Sequence, residues 1–309
     1  MKALVIGGNG WFIGTHLVRA LSRRGDTVVV LDRFAPRADR NLTGVDYHMG
    51  DFHDPVLLRR VLSGVDAVYH LASCTVPSTA DADPESDVQG NLLGTLALLA
   101  SMREQGIRRI CYFSSGGTVY GNPERVPVPE SHALRPISSY GIVKVAIEQY
   151  LAMFQRQGWL DPVIIRPSNP YGPGQALGGI QGAVAVFLGK ALAGQRVQIW
   201  GDGEIIRDYV YIDDVVDLAM MAVDSGKNSV FNVGSGAGSS LNALCDTIRR
   251  VTGIPVQVDY LPGRSFDVKA VVLDVTQARE QLGWYPRIDL EAGVRRTWQA
   301  IEGASSSLP

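Results

Sequence analysis

The stretch of sequence that decides the fold is Val5-Ile6-Gly7-Gly8-Asn9-Gly10-Trp11-Phe12-Ile13-Gly14, close to the start of the chain. A short apolar run precedes the glycines, and a helical pattern over residues 15–24 follows them. The glycines therefore lie where a strand turns into a helix. Glycine permits both a tight turn and the close approach of backbone N–H groups to a phosphate. The stretch predicts a phosphate-binding turn between the first strand and the first helix.

Strands and helices alternate through the first half of the chain. The strands are nearly continuous apolar runs, which is typical of strands that are buried on both faces. This alternation predicts an α/β fold with a doubly wound parallel sheet, the Rossmann arrangement, in which helices cover both faces. The predicted strands are 3–6, 27–31, 47–50, 65–71, 107–113 and 163–166, and the predicted helices are 15–24, 85–105 and 136–157.

The character of the sequence changes after Arg166. Residues 167–174 are dense in turn formers, and the elements beyond them are shorter and less regular. We predict a dinucleotide-binding domain over residues 1–167, to which 208–233 return, and a smaller α/β substrate-binding portion over 168–309. The predicted elements of the second half are helices at 184–192, 213–223 and 290–301 and strands at 197–200 and 230–233.

Composition excludes several classes of function. The 309 residues are 46% hydrophobic and carry a formal net charge of −2 without a basic block, which predicts a globular enzyme with no nucleic-acid or anionic-membrane partner. The three cysteines are scattered without metal-ligand spacing, so we expect no metal site and a reducing compartment. The start has no signal-peptide pattern, and no apolar run is long enough to cross a bilayer, so we expect a cytoplasmic protein.

An acidic residue follows the glycine-rich stretch at the distance that a dinucleotide site needs. Asp32 ends the second predicted strand, about 20 residues on, where a carboxylate binds the adenosine ribose hydroxyls. The same carboxylate repels a 2′-phosphate, which favours NAD over NADP, although the neighbouring Arg33 weakens this preference. The candidate cofactor-binding residues of this region are Gly7, Gly10, Trp11, Phe12, Ile13, Gly14, Asp32 and Arg33.

Tyr140 and Lys144 form a Tyr-x-x-x-Lys pair, and on a helix both side chains share one face. Tyrosine has an ordinary pKa of about 10, so it acts as a general base near neutral pH only where cations favour the phenolate. We expect Lys144 and a cationic nicotinamide ring to lower the pKa of Tyr140. The pair would then accept the proton of an alcohol whose hydride leaves for the dinucleotide. The alternative is a solvated helix pair.

Further motifs run in order over nearly the whole chain. They are His70-Leu71-Ala72, Asn91-Leu92-Leu93-Gly94-Thr95, Ser114-Ser115-Gly116-Gly117-Thr118-Val119-Tyr120-Gly121, Arg166-Pro167-Ser168-Asn169-Pro170-Tyr171-Gly172, Arg207-Asp208-Tyr209-Val210 and Leu282-Gly283-Trp284-Tyr285-Pro286. With these motifs the chain resembles the extended short-chain dehydrogenases/reductases of the NAD-dependent epimerase/dehydratase family, and within it the UDP-hexose 4-epimerases. The resemblance implies NAD as cofactor, a UDP-sugar substrate, and a homodimer formed through the helices at 85–105 and 140–157.

The resemblance also assigns roles to individual residues. Besides Tyr140 and Lys144, it implies NAD contacts at Asp51, Phe52, Leu71, Ala72, Asn91 and Ser168. In the substrate half it implies stacking of uracil on an aromatic side chain and binding of the diphosphate by arginines. The implied substrate-binding residues are Thr118, Asn169, Gln198, Trp200, Arg207, Arg264 and Val271. Core packing is the alternative role for Trp200, and a plain surface charge is the alternative for either arginine.

Two departures from the family pattern affect the site. One extra residue separates Gly10 from Gly14, so either the loop bulges or the helix starts differently. Gly116 stands where the family usually has a Ser or Thr, which leaves Ser115 and Thr118 as the available catalytic hydroxyls. Strand alternation would place Thr118 on the same side as Gly116 and favours it, but both stay candidates.

The same segment bears on the reaction. Dehydratases of the family carry an acid pair, and decarboxylating relatives a glutamate, where this chain has Gly117-Thr118. The resemblance therefore implies epimerisation through a 4-keto sugar. The alternatives are a nucleotide-sugar reductase, a dehydratase with a displaced acid or, without chemistry, an NAD(H)-sensing scaffold. Val271 stands at the position that walls the sugar C2 substituent in 4-epimerases, and its small size hints at UDP-GlcNAc and UDP-GalNAc as substrates.

Overall fold

The computed structural model describes residues 1–9, 12–36, 41–75, 77–179, 181–264 and 268–305. Its strands are β1 (Lys2–Ile6), β2 (Thr27–Asp32), β3 (Asp46–Met49), β4 (Ala67–His70), β5 (Arg109–Phe113), β6 (Asp161–Pro167), β7 (Asn169–Tyr171), β8 (Val197–Trp200), β9 (Ile206–Tyr211), β10 (Val230–Val233), β11 (Gly238–Ser240), β12 (Val258–Leu261) and β13 (Ala270–Val271). Its helices are α1 (Ile13–Arg24), α2 (Pro55–Val61), α3 (Pro77–Ala80), α4 (Pro84–Asp87), a π-helix (Val88–Leu93), α5 (Gly94–Glu104), α6 (Ser139–Arg156), α7 (Ala183–Leu192), α8 (Ile212–Asp224), α9 (Leu241–Thr252), α10 (Thr276–Leu282) and α11 (Leu290–Ser305).

Seven strands form the central sheet in the order β10-β6-β5-β4-β1-β2-β3. From β3 to β6 all neighbouring strands pair in parallel, and Ile6 at the end of β1 is level with Leu31 in β2 and His70 in β4. The carboxyl ends of these strands therefore meet at one edge, which is where ligands bind in open α/β sheets. The prediction of a doubly wound parallel sheet is confirmed.

The sheet forms because its strands are apolar enough to be buried on both faces. Leu4 and Ile6 of β1 and Val68 of β4 are at most 1% exposed. Helix α1 covers part of this surface with Leu17 and Leu21, which are fully buried. Burial of each such side chain contributes about 1.5–3 kcal/mol relative to exposure. This core holds the carboxyl edge of the sheet in place.

The helices predicted over 85–105 and 136–157 differ from the structure. The segment predicted as one helix over 85–105 is divided into α4, the π-helix and α5, and Asn91 lies within the π-helix. π-Helical turns inside helices are frequent at functional sites. The helix predicted from residue 136 begins only at Ser139, because the Ser138 hydroxyl accepts a hydrogen bond from the Gly141 N–H (3.2 Å) and caps the helix there.

The chain divides into two compact units. The first comprises residues 1–121, 133–166 and 216–231, and the second comprises 122–132, 167–215 and 232–309. In the second unit, β9 pairs with β7, β11 and β13, and β8 pairs in parallel with β12. Within the ranges that the structure describes, no helix is both long and apolar enough to cross a membrane.

Candidate active site

The glycine turn brings the first helix against the end of β1. Gly7 has a φ of 86°, and a Cβ at this position would lie 2.8 Å from the backbone nitrogen of Ala72. A Cβ at Gly14 would lie 2.2 Å from the Gly7 carbonyl oxygen. Any larger side chain would therefore force the backbone apart at either position. Gly10 and Trp11, two of the predicted loop residues, lie outside the described residues.

The start of α1 suits a phosphate group. The helix begins at Ile13, two residues before the predicted start, with the half-buried Phe12 at the N-cap. Phe12 makes no side-chain capping hydrogen bond, and the first turn of the helix carries no acidic residue. The N–H groups of that turn and the positive end of the helix dipole are therefore available to a pyrophosphate.

The Asp32 carboxylate links the glycine turn to the segment that follows β2. Its carboxylate oxygens accept hydrogen bonds from the Asn9 N–H (3.0 Å) and the Phe34 N–H (3.1 Å). The Asn9 side chain donates to the Phe34 carbonyl (3.0 Å), while its own Oδ1 is buried and has no hydrogen-bond partner in the described part of the chain. A buried oxygen without a partner is costly, and a donor on a bound nucleotide would satisfy it. These residues fit a dinucleotide cofactor.

Arg33 is paired with an acidic residue of the next strand end. Its Nε and Nη2 donate to Asp51 Oδ2 (3.1 and 2.8 Å), and Asp51 Oδ1 accepts from the His53 N–H (3.0 Å). Burial alone would raise the pKa of Asp51, but the hydrogen bonds from His53 and the charge of Arg33 bring the pKa below its ordinary value. Asp51 thus balances the positive charge of Arg33. Arg33 therefore no longer argues against the preference for NAD over NADP.

The other predicted cofactor contacts differ in their surroundings. Phe52 is only 4% exposed, and its ring packs 5.3 Å from that of His70. Leu71 and Ala72 are half-buried, and the backbone N–H groups of both donate to the Ile6 carbonyl at the end of β1 (3.0 Å each).

Asn91 and Ser168 lie in different units. Asn91 accepts a hydrogen bond from the Cys74 N–H (2.8 Å), which fixes the segment after β4. Ser168 belongs to the second unit, where its N–H donates to the Val233 carbonyl (2.8 Å). The Ser168 Oγ is buried without a partner among the described residues, so it is a polar atom that a ligand could satisfy.

Tyr140 and Lys144 share one face of α6, in its first two turns. The Lys144 side chain is buried, and its Nζ donates to the Phe113 carbonyl at the end of β5 (2.8 Å). The same Nζ lies 5.5 Å from the centroid of the Tyr140 ring and 4.8 Å from that of Tyr112. Tyr140 itself is half-buried. A phenol and an ammonium group are therefore held together beside the carboxyl end of the sheet.

In the chain without its cofactor, the pKa of Tyr140 is raised rather than lowered. Burial, together with the negative charge of Asp87, raises the pKa of Tyr140 to about 12. Burial lowers the pKa of Lys144 to about 8, although Glu148 and Asp87 act to raise it. The lowering is expected of Lys144 together with a cationic nicotinamide, so it stays a prediction; in the chain alone, burial disfavours phenolate. A further positive charge is needed to make Tyr140 a base.

Ser115 and Thr118 follow β5 in a turn rather than in a strand. The N–H groups of Thr118 and Val119 both donate to the Ser115 carbonyl (3.2 and 3.1 Å). The argument from strand alternation therefore does not apply to either hydroxyl. The Thr118 backbone lies against the start of α6, since a Cβ on Gly141, next to Tyr140, would be 3.1 Å from the Thr118 carbonyl oxygen. The backbone of Thr118 therefore lies near Tyr140, and both hydroxyls stay candidates.

A buried ion pair anchors α6, and the sequence analysis missed it. Glu148 and Arg166 are 3% and 4% exposed, and the guanidinium contacts both carboxylate oxygens (3.0 and 2.5 Å). The Ser114 hydroxyl donates to Glu148 (2.5 Å), and Arg166 donates to the Tyr120 hydroxyl (2.8 Å). Two signals could have revealed the pair: Glu148 lies four residues after Lys144, and Arg166 ends an apolar strand.

The second unit contains a pocket of about 300 Å³. Strand β8 alternates buried and exposed residues, so that Trp200 projects outward and is 41% exposed, which argues against core packing. The guanidinium carbon of Arg264 lies 5.2 Å from the Trp200 ring, and Arg207 donates to the Val268 carbonyl (2.8 Å). Of the predicted substrate-binding residues, the pocket is lined by Asn169, Gln198, Trp200, Arg207 and Arg264.

Two of the predicted substrate-binding residues are not among the residues that line this pocket. Val271 lies in β13 level with Arg207 and is 2% exposed, and Thr118 belongs to the first unit. The pocket thus gathers an aromatic face, two arginines and three side-chain amides, which is a donor set suited to a base and a diphosphate.

Comparison with known proteins agrees with this chemistry. The sequence profile of the NAD-dependent epimerase/dehydratase family matches residues 3–234. A putative UDP-glucose 4-epimerase of Methanocaldococcus jannaschii is 36% identical over 95% of this chain and 96% of its own length. The UDP-glucose 4-epimerase of Mycolicibacterium smegmatis is 37% identical over 99% of this chain and 100% of its own length.

Solved structures give the same result. The UDP-glucose 4-epimerase of Thermotoga maritima with UDP-glucose superimposes with a TM-score of 0.94 at 36% identity, over 99% of this chain and 100% of that one. The Thermus thermophilus UDP-glucose 4-epimerase in complex with NAD gives 0.91 at 33% identity, over 98% and 100%. The predicted fold and the predicted NAD cofactor are confirmed, and the chain belongs to the NAD-dependent epimerase/dehydratase family.

Proposed function

We propose that the chain is an NAD-dependent 4-epimerase of a UDP-hexose. The observation that carries the proposal is the Tyr140–Lys144 pair beside a segment, Gly117-Thr118, that has no carboxylate. An alcohol can be oxidised there, but the two positions offer no acid or base for elimination of water. Return of the hydride to the other face of the sugar is then the simplest outcome.

The residues of the first unit have separate tasks in this reaction. The glycine turn, the start of α1 and Asp32 would hold the pyrophosphate and the ribose of NAD, which when bound accepts a hydride from C4 of the sugar and returns it. Tyr140 takes the proton of the 4-hydroxyl and later gives it back. Lys144 orients the phenol and opposes its protonated form, and Thr118, or else Ser115, hydrogen-bonds the sugar hydroxyl.

The pocket of the second unit would bind the nucleotide. Stacking of uracil on Trp200 would contribute about 1–3 kcal/mol. Arg207 and Arg264 provide planar guanidinium groups that suit the diphosphate, and Asn169 provides an amide for a phosphate or sugar oxygen. The first unit would accordingly be the cofactor-binding domain and the second the substrate-binding domain.

The proposal extends to which UDP-sugars are substrates. We infer that UDP-GlcNAc and UDP-GalNAc are substrates besides UDP-glucose and UDP-galactose, because Val271 is small and only 2% exposed and so offers no bulky wall against an N-acetyl group at C2. The UDP-N-acetylglucosamine 4-epimerase of Methanobrevibacter ruminantium, which gives a TM-score of 0.91 at 28% identity, supports this range.

A reductase is the second candidate. The Escherichia coli dTDP-4-dehydro-6-deoxyglucose reductase is 32% identical over 77% of this chain and 75% of its own length, which favours this alternative over a dehydratase. A reductase consumes one reduced cofactor per turnover, whereas an epimerase regenerates its oxidised cofactor in each cycle.

We further propose that two copies of the chain form a homodimer through the π-helix and α6. Leu93 on the π-helix and Ile142 and Tyr150 on α6 are 52%, 56% and 37% exposed, which is unusual for apolar side chains on helices that line a core. Light scattering after size exclusion should give twice the mass of the chain, and Ile142→Glu should return it to a monomer.

The test of the function is incubation with UDP-glucose, UDP-galactose, UDP-GlcNAc and UDP-GalNAc, followed by nuclear magnetic resonance of the products. We expect interconversion at C4 without added NADH. A stoichiometric demand for NADH would support the reductase instead. Tyr140→Phe should abolish interconversion, and Tyr150→Phe on the outer part of the same helix is the matched control.

A further inference from the structure

Asp87, at the end of α4, is a fully buried acidic residue for which the reaction described above has no use. One carboxylate oxygen accepts hydrogen bonds from the Thr75 hydroxyl (2.6 Å) and the Asn91 amide (2.7 Å). The other accepts from the Ser139 hydroxyl (2.7 Å). Burial of an ionised carboxylate is expensive unless hydrogen bonds satisfy it, and here three side chains do so.

The three donors come from three different segments of the first unit. Thr75 follows β4, Asn91 lies in the π-helix, and Ser139 is the first residue of α6, directly before Tyr140. A second link runs parallel to the last one, since the Ser139 N–H donates to Asp81 (2.7 Å). The carboxylate of Asp87 is thus the common point that fixes the start of α6 to the segments after β4.

We propose that Asp87 is a positioning residue for the Tyr140–Lys144 pair: its carboxylate fixes the start of α6 and places a buried negative charge beside both side chains. The proposal rests on the function inferred for Tyr140. A negative charge so placed favours the protonated phenol and the protonated ammonium. Asp87 would thereby favour the neutral form of Tyr140 and oppose the effect of the positive charge of a bound oxidised nicotinamide.

Other charged and titratable groups face the same pair. Glu148, one turn beyond Lys144 on α6, also favours the ammonium form of Lys144. On β5, burial raises the pKa of Tyr112 well above its ordinary value, so that group is neutral. On β4, burial lowers the pKa of His70 to about 3, with Lys144 and then His53 adding to the effect, so His70 is neutral too. Asp87 is the acidic residue that affects the pKa of both Tyr140 and Lys144.

The test is the pKa of Lys144 in the whole protein without substrate. The chain has only five lysines, so lysine labelled with 13C at Cε gives few signals, and Lys144→Arg identifies the one that matters. We expect the pKa of Lys144 in the parent protein to lie below its ordinary value, because the ammonium group is buried. Asp87→Asn should lower it by about one unit, because it removes a charge but leaves an amide that can bond to Thr75, Asn91 and Ser139.

Asp83→Asn is the matched control. Asp83 caps the same short helix through its bond to the Ser86 N–H (3.1 Å), and asparagine can keep that cap. This variant should leave the pKa of Lys144 unchanged. An unchanged pKa in folded Asp87→Asn, or an equal shift in Asp83→Asn, would overturn the proposal. Because the titration needs no turnover, its outcome is independent of whether the proposed reaction is correct.

Ser139→Ala keeps the test decisive if Asp87→Asn does not fold. This variant removes one bond to the carboxylate and leaves the charge in place. We expect kcat to fall about tenfold with KM and the pKa of Lys144 little changed, since the base is displaced rather than retuned. Full kcat in Ser139→Ala would show that the link does not position Tyr140.

Discussion

Lys144 in the first unit is 5% exposed, whereas Trp200 in the second unit is 41% exposed. Around Lys144, the side chains that perform the chemistry are enclosed, and neighbouring buried groups hold them in place. Around Trp200, the side chains that would bind the nucleotide stand open to solvent on the walls of a pocket.

This difference separates two ways of building a site. The reacting groups must be fixed relative to each other before any substrate arrives, so they depend on ion pairs and hydrogen bonds that also stabilise the fold. The side chains that would contact the nucleotide become enclosed only when it binds. Changes near α6 should therefore affect rate or stability strongly, and changes in the pocket should affect affinity alone.

The largest effect is expected from the loss of the phenol hydroxyl. Tyr140→Phe should lower kcat by about 10²–10⁴-fold, because general acid–base catalysis contributes factors of this size. Initial rates of UDP-glucose to UDP-galactose conversion measure the change. Tyr150→Phe should keep the parent rate, and a Tyr140→Phe enzyme as fast as the parent would show that another group is the base.

The buried ion pair below the site should control stability. Glu148→Gln leaves Arg166 buried without its counter-charge and should lower the free energy of unfolding by about 3–5 kcal/mol. Urea denaturation measures this loss. The control is Asp259→Asn, which breaks the exposed Arg196–Asp259 pair (52% and 43% exposed) and should change the stability by less than about 1 kcal/mol. Equal losses of unfolding free energy in the two variants would show that the buried ion pair contributes no more to stability than the exposed one.

The pocket should respond in the opposite way. Trp200→Ala should weaken UDP binding by about 1–3 kcal/mol, or roughly 5–150-fold in Kd, through loss of stacking. Calorimetric titration with UDP measures Kd, and the melting temperature should stay close to that of the parent. Tyr285→Ala, which removes another exposed ring of the second unit (60% exposed), should bind UDP normally. A large fall in melting temperature for Trp200→Ala would instead place the ring in the core.

A smaller effect should appear in the pH dependence of stability. Burial lowers the pKa of His70 to about 3, while the unfolded chain titrates at its ordinary pKa of about 6.5. Between these values the unfolded state binds the additional proton, so stability is complete above pH 6.5 and falls as the pH drops. At pH 5.5 the loss should be about 1.4 kcal/mol. Denaturation of His70→Gln at pH 8 and pH 5.5 should show that this part of the difference in the free energy of unfolding has vanished. The same difference as in the parent protein would contradict the assignment to His70.

Much of the site could be predicted because its signals are local in sequence. The glycine turn is visible in ten residues, Asp32 follows at a fixed spacing, and Lys144 lies four positions after Tyr140. Apolar strands between helices were enough to predict the parallel sheet. Each of these features depends on backbone geometry over a short stretch or on a simple period.

The features that could not be predicted depend on contacts between distant segments. Glu148 meets Arg166 only after α6 packs on the sheet, and Asp87 meets Ser139 across 52 residues. The upward shift of the pKa of Tyr140 also follows from burial, which the spacing to Lys144 does not reveal. The π-helix that interrupts the segment 85–105 has no distinct period in the sequence.

The most direct test of the central claim follows the hydrogen at C4. UDP-glucose carrying deuterium at C4 is incubated with the purified protein in ordinary water without added cofactor, and the UDP-galactose formed is analysed by nuclear magnetic resonance. If a hydride is removed and returned within one bound complex, the product keeps its deuterium at C4. Loss of the deuterium to solvent, or no product until NADH is supplied in stoichiometric amount, would contradict the account.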